Sequence, residues 1–385
     1  MQRRAQRVTG LGTTIFAEMS ELAQSTGSVN LGQGFPDTDG PAEVLEQAVH
    51  ALRTGHNQYA PGRGVASLRQ AIADHQGTHY GIELDPEREV LVTTGATEAI
   101  AAALLGLVDP GDEVVALEPY YDSYVAGIQM AGGVRRPVLL RAPDFRLDPD
   151  ELRAAVTPRT RMLLINSPHN PTGTVLTRAE LAVIAEVAVE HDLLVVTDEV
   201  YEHLTFGQQT HLPLATFPGM AERTVTCSSA GKTFSVTGWK VGWASGPADM
   251  IASMLTAKQF LTYTSGAPLQ PAVAYALRLP STVFDDLRED LEGKRDLLCA
   301  GLKEIGFEVY VPEGTYFTTT DVRPLGYTDG VQFCRDLPTR AGVVAIPHQV
   351  FYDDLEAGRP MVRWAFCKQN EVLLEALGGL RRAFS

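Results

Sequence analysis

Between about residues 45 and 270 the sequence alternates short apolar, β-branched runs with stretches of helical periodicity, and this alternation constrains the fold more than any other feature. The runs are Val90–Thr94, Glu113–Leu117, Arg161–Ile165, Leu193–Thr197 and Thr224–Cys227. Separated by helical stretches, they read as buried strands of a mostly parallel sheet. Ala179–His191 is the clearest crossover helix, with apolar residues on a helical period and Asp192 ending it. The implied class is α/β, a mostly parallel sheet flanked by helices. From about Ser281 the pattern changes to amphipathic helix followed by short strands, Phe307–Val311 and Thr315–Thr319, which reads as a smaller α+β domain. The expected organisation is an N-terminal arm over 1–40 packing with the small domain, a large domain over 41–275 and the small domain over 276–385. Pro268, Pro271 and Pro280 bracket a long helix expected at the boundary.

With 385 residues the chain can bury a full core in two domains. A formal charge of −15 argues against nucleic acid or an anionic membrane as partner, since both require a basic face. Cys227, Cys299, Cys334 and Cys367 are scattered with no CxxC pair, so they offer no zinc or redox-dithiol site and no metal is expected. Few, dispersed cysteines suit a reducing cytosol, so the expected location is cytoplasmic. The longest apolar run, Ala99–Val108, is too short to span a bilayer. Met1–Gly10 carries Arg3, Arg4 and Arg7 without an apolar region behind them, which reads as a short basic arm rather than a secretory signal.

The chemistry-bearing residues follow the ends of these strands, where open α/β sheets place their ligands. In Ser228–Trp243, Lys232 sits in a small-residue turn between hydroxyls, with a second cation, Lys240, eight positions on. Such a lysine can form a Schiff base with an aldehyde cofactor, while the hydroxyls and Lys240 hold a phosphate; this is the layout that pyridoxal 5'-phosphate needs. Gly231-Lys232-Thr233 is not a phosphate-binding P-loop, because Thr226 stands where that motif needs its first glycine. Taken alone, Lys232 would be an ordinary solvated lysine in a turn.

Other segments supply the rest of a site. Thr94–Glu98 opens a helix expected over Glu98–Val108, and its backbone N–H groups make Ala96 and Thr97 candidates for the phosphate, beside Ser229 and Lys240; a plain capped helix start would look similar. Tyr121 is placed to stack on a ring, or else is a core-edge tyrosine. Asn170, fixed between His169 and Pro171, can reach a phenolic oxygen and a substrate carboxylate, though Asn-Pro pairs are also ordinary turn formers. Asp198 at a strand end is costly to bury unless paired, and a pyridine nitrogen would pair it. Tyr201, three residues on, can donate to the phenolate oxygen. Arg363 lies in the strand-like Met361–Phe366 and suits capture of a carboxylate, although on an edge strand it would face solvent. Gly34, in Gly32–Pro36, reads as backbone that something can approach closely, though a simple Gly-Pro loop would look the same.

In order along nearly the whole chain, these motifs resemble the class I/II aminotransferases, pyridoxal-phosphate enzymes of fold type I. Ser229–Ser235 and Thr237–Lys240 look most like the kynurenine/glutamine/methionine aminotransferase branch, which includes cysteine-conjugate β-lyases. Ile15–Ser20, Glu118–Tyr124 and Ala365–Lys368 are similar to actinobacterial N-succinyldiaminopimelate aminotransferases. The resemblance implies Lys232 as Schiff-base lysine and proton shuttle, Asp198 on the pyridine nitrogen, Asn170 and Tyr201 on the phenolic oxygen, and Tyr121 stacked on the ring. It implies that Ala96, Thr97, Ser229 and Lys240 hold the phosphate, joined by Tyr59 from the neighbouring subunit of a homodimer with shared sites. Arg363, Asn170 and the backbone at Gly34 would bind the α-carboxylate, with Phe16 near the side-chain pocket. Tyr121 replaces a common phenylalanine, and Ala96-Thr97 differ from the Gly-Tyr pair of the mammalian enzymes.

The expected reaction moves an amino group from an L-amino acid, N-succinyl-LL-diaminopimelate in lysine biosynthesis, to a 2-oxo acid such as 2-oxoglutarate. The alternatives are a broad methionine/glutamine/kynurenine aminotransferase or a β-lyase. A non-catalytic cofactor-binding regulator is disfavoured, because only about 30 residues precede the first motif and the chain is acidic. A dicarboxylate donor wants a second cation, for which Arg63 near Tyr59 is a candidate; an apolar donor wants walls such as Phe16, Tyr59 and Tyr121.

Overall fold

The computed structural model describes residues 5–11 and 15–384, so Arg3 and Arg4 of the basic arm lie outside the described residues. Thirteen strands occur among them: β1 (Val29–Asn30), β2 (Val90–Thr93), β3 (Glu113–Glu118), β4 (Val134–Leu139), β5 (Thr160–Asn166), β6 (Leu194–Asp198), β7 (Thr224–Ser229), β8 (Gly242–Ser245), β9 (Glu308–Tyr310), β10 (Phe317–Asp321), β11 (Val343–Val344), β12 (Ile346–Pro347) and β13 (Met361–Ala365). Seven form one sheet in the order β2-β8-β7-β6-β5-β3-β4, and only β8 runs against its neighbours. The chain is α/β with a mostly parallel sheet flanked by helices.

The five expected strands form β2, β3, β5, β6 and β7 to within one or two residues. Their side chains are buried on both faces, as a sheet covered by helices on two sides requires. Two strands have no such signature. β8 is built from Gly-Trp-Ala-Ser because it runs under the start of helix Gly95–Leu107: a Cβ on Gly242 would lie 2.5 Å from the Gly95 carbonyl carbon and 2.7 Å from the Ala96 nitrogen. β4 carries Arg135, Arg136 and Pro137 at the sheet's margin, where a proline costs no ladder bond.

Helix Gly95–Leu107 starts three residues earlier than its apolar run suggested. The crossover helix runs Arg178–Glu190 and is opened by a capping box, in which Thr177 and Glu180 satisfy each other's backbone N–H. Asp192, at φ 51°, turns the chain out of it. The single long helix expected around 268–280 is instead two, Leu269–Ala276 and Ser281–Ile305. Pro271 fits in the first turn of one, where its missing N–H is not needed, and Pro280 immediately precedes the other.

The second sheet, β12-β13-β10-β9, is antiparallel throughout. From the N-terminal segment, β1 pairs in parallel with β11, and Leu31 O accepts from Ala365 N at 2.7 Å. This ties the segment containing Gly34 to the end of β13.

Candidate active site

Because β2, β3, β5, β6 and β7 are mutually parallel, the residues after them converge on one edge of the sheet. There a cleft of about 1060 Å³ is lined by Phe16, Gly34, Ala96, Thr97, Tyr121, Asn170, Asp198, Tyr201, Ser229, Lys232, Lys240 and Arg363. Every residue singled out for the site lines it except Arg63 and Tyr59, of which Tyr59 is 84% exposed and packs edge-on to Tyr263 at 5.7 Å. The Arg63 guanidinium donates to Arg88 O.

Lys232 lies in the one-turn helix Ala230–Thr233 rather than in a bare turn. Its Nζ donates to Tyr316 Oη at 2.6 Å and Gly34 O at 3.2 Å, and Tyr316 Oη donates in turn to Gly34 O at 2.6 Å. Burial pulls the amine down to about 8, so a usable fraction is neutral near physiological pH. At Gly34 a Cβ would fall 2.4 Å from the Phe317 ring, so only glycine lets this backbone close over the lysine.

Asp198 ends β6. Tyr124 Oη donates to its Oδ2 at 2.5 Å and Val200 N to its Oδ1 at 3.3 Å. Burial nevertheless raises its carboxyl to about 6, with Tyr124, Val200 and Lys232 opposing the rise. Asn166 braces this corner: its Nδ2 donates to Asp198 O at 2.8 Å and its Oδ1 accepts from Asn170 N at 2.8 Å.

Arg363 is 1% exposed on β13, an inner strand flanked by β10 and β12, which excludes the solvent-facing reading. Its Nη1 donates to Asn170 Oδ1 at 2.9 Å and Nη2 to Gly32 O at 3.0 Å, while Nε has no partner. The guanidinium carbon lies 3.9 Å from the Phe317 ring centre, 5.0 Å from Phe351 and 5.2 Å from Phe16. Burial lowers it only to about 10, so it stays charged at neutral pH. Among the described residues it enters no ion pair, so a buried cation faces the cleft with no anion bonded to it.

Across the cleft, Lys240 adopts φ 53° and lies over Gly95, where a Cβ would meet its Cε and Nζ at 3.2 Å. Lys240, Ser229 and the first N–H groups of helix Gly95–Leu107 thus surround one end of the cleft, an arrangement suited to an anion.

Residues 26–377 match the family model for aminotransferase class I and II. The chain belongs to that family. This aminotransferase is 56% identical over 382 residues to a probable N-succinyldiaminopimelate aminotransferase, DapC, of Mycobacterium tuberculosis, covering 96% of both chains. It is 42% identical to a methionine aminotransferase of Escherichia coli, over 97% of this chain and 96% of that one. The solved structure of N-succinyldiaminopimelate aminotransferase from M. tuberculosis superposes with a TM-score of 0.96 at 56% identity, covering 98% of this chain and 99% of that one.

Two site residues escaped the sequence reading of this transaminase: Tyr124, the partner of Asp198, and Tyr316, the partner of Lys232. Each acts across a long separation, 74 and 84 residues. Tyr124 had a faint signal, since it lies three residues after Tyr121 on the opening turn of helix Asp122–Ala131. Tyr316 had none beyond standing beside Phe317.

Proposed function

We propose that this aminotransferase uses pyridoxal 5'-phosphate to move the amino group of N-succinyl-LL-diaminopimelate to 2-oxoglutarate. The observation that carries the reading is the buried, unpaired Arg363 in the same cleft as the buried Lys232 amine. The residues fit the cofactor: Asp198 is a buried carboxylate with no cation bonded to it, and the Lys240–Ser229–Gly95 end is built for an anion. When bound, the cofactor supplies an aldehyde for the substrate amine and an electron-withdrawing ring.

The chain's residues do the rest. Ala96, Thr97, Ser229 and Lys240 would hold the phosphate, and Tyr121 would lie against the ring. Asp198, oriented by Tyr124, would hold the ring nitrogen, while Asn170 and Tyr201 would hold the phenolic oxygen. Arg363 and Asn170 clamp the substrate α-carboxylate beside the Gly34 backbone. Lys232 Nζ then takes the proton from the substrate α-carbon, a task its amine near pH 8 suits. In this reading residues 1–40 form the arm, 41–275 the large domain and 276–385 the small one. Four buried, free thiols fit a cytoplasmic setting. Among the described residues no helix is long and apolar enough to cross a membrane.

A second reading, an apolar donor such as methionine, is favoured by the distal wall. There the lining adds Phe351 and Val350 together with Glu18, Asp122 and Asp353, and, among the described residues, no lysine or arginine beyond Lys232, Lys240 and Arg363. Arg335 and Arg135 stand behind Glu18 and Asp353 as their ion-pair partners, and would have to swing in to meet a succinyl carboxylate. Comparing kcat/KM for the two donors with 2-oxoglutarate as acceptor tests this. At least tenfold preference for the succinylated donor is expected; the reverse ratio makes the second reading the right one.

The charge on Asp198 is costly while no cation is bonded to it. Its carboxyl is held above the unfolded value of 3.8, so stability falls as pH rises from about 4 to 6, and the penalty is complete above 6. Asp198→Asn removes roughly 3 kcal/mol of that penalty. Thermal unfolding at pH 7 will show the cofactor-free variant more stable than the cofactor-free wild type, while its turnover collapses. A less stable variant would contradict this balance.

The homodimer belongs to the same proposal. Tyr59, Phe260, Leu261 and Tyr263 form an exposed apolar patch, 84%, 82%, 50% and 47% accessible. It is tied to the cleft where Thr262 Oγ1 donates to Glu98 Oε1 and Glu98 Oε2 accepts from Thr94 N. Phe260→Asp is expected to shift sedimentation from dimer toward monomer and to cut activity; an unchanged dimer would remove this surface from the interface.

A further inference from the structure

Behind the cleft, helix Ala66–Tyr80 packs against the segment after β6, and three histidines and a glutamate meet there. His75 Nε2 and His203 Nε2 face each other at 2.8 Å, although they are 128 residues apart in sequence. Ligand atoms of His75, Glu202 and His203 all lie within 4.8 Å of one another. His79, one turn from His75 on the same helix, brings a third imidazole 4.5 Å from the His75 ring centre and 5.1 Å from that of His203.

An ordinary buried histidine pair would need only one N–H···N bond and a partner for each outer nitrogen. Here His75 is 3% exposed and its Nδ1 has no hydrogen-bond partner among the described residues. Glu202 is equally buried, and its Oε1 accepts from Ser228 Oγ at 2.6 Å, which fixes the carboxylate's direction. Phe284 stacks obliquely on His203 at 4.5 Å and closes one side with an apolar wall. Oriented imidazoles, an oriented carboxylate and an apolar surround are the parts of a metal site.

We propose that His75, His203 and Glu202 bind one divalent transition-metal ion of the zinc class, with the neighbouring His79 having to turn in to serve as fourth ligand. Two histidines at i and i+4 on a helix face are a usual metal-binding pair. In a tetrahedral site with zinc–nitrogen bonds of about 2.0–2.1 Å, facing nitrogens stand roughly 3.3 Å apart. The His75–His203 pair therefore needs to open by about half an ångström, with the ion replacing the shared proton, which moves to the outer Nδ1 of the donor ring. The ion would pin helix Ala66–Tyr80 to the residues that follow Tyr201, a structural rather than a catalytic role. It uses none of the cysteines.

Zinc chloride titrated calorimetrically into chelator-treated holoenzyme tests the site. One ion per chain is expected with roughly micromolar or tighter affinity, accompanied by a higher melting temperature. His203→Asn, which keeps a hydrogen-bonding side chain, should weaken binding at least tenfold. X-ray absorption of the wild type loaded with one equivalent needs no variant, and should show two or three imidazoles and a carboxylate oxygen. No saturable binding, full binding by His203→Asn, or an all-oxygen shell would overturn the proposal and leave a hydrogen-bonded histidine pair.

Discussion

Lys232→Ala will fold like the parent and lose turnover by about 10²- to 10⁴-fold, the range that positioned proton transfer supplies. Neither hydrogen-bond partner can replace it, because they offer no basic nitrogen: Tyr316 presents a phenol and Gly34 a carbonyl. The fold should survive, since Lys232 occupies a one-turn helix at the cleft and enters no ion pair among the described residues. Steady-state kinetics with circular dichroism measures both halves. The variant also keeps Asp198, Lys240 and Ser229, so it should still retain pyridoxal 5'-phosphate at equilibrium while losing the covalent link. Activity within tenfold of wild type would remove Lys232 from the chemistry.

Arg363→Ala will lower kcat/KM by about 10²- to 10⁴-fold, because losing one partner of a buried charge pair costs roughly 3–5 kcal/mol. The loss should fall on every donor that carries an α-carboxylate. A primary amine without one should react equally poorly with both proteins, which separates carboxylate binding from general damage. Arg363→Lys should recover only part, since an ammonium cannot make the fork that Nη1 and Nη2 present to Asn170 Oδ1 and Gly32 O. Equal losses on both classes of substrate would make Arg363 a packing residue beneath Phe317.

The strands that carry the site were legible because they are buried on both faces and so are written in continuous apolar, β-branched residues. β8 was not, since what selects its Gly-Trp-Ala-Ser is the close pass beneath Gly95 and Ala96, a tertiary demand with no local pattern. β4 was hidden for the opposite reason: a marginal strand tolerates arginines and a proline. The candidate site was legible where a residue type is unusual for its position, as with a lysine among small residues or a carboxylate at a strand end. Tyr124, Tyr316 and the His75–His203 pair were not, because a tyrosine or histidine in a helix or strand looks the same whether it meets a functional group or a core neighbour. The same limit applied to Arg363, whose sequence fitted an edge strand as well as the inner strand it occupies.

The central claim is that this cleft transfers an amino group rather than eliminating a side chain. The direct measurement is a single half-reaction: a cysteine S-conjugate, which carries a thiol leaving group on Cβ, and N-succinyl-LL-diaminopimelate are each added to holoenzyme with no oxo acid present, and the cofactor absorption and released products are followed together. The account predicts that the visible band bleaches once, with one oxo acid formed per site and no ammonia, and that 2-oxoglutarate then restores the band. Continued release of ammonia without an acceptor, with the band unchanged, would contradict it and make the protein a lyase.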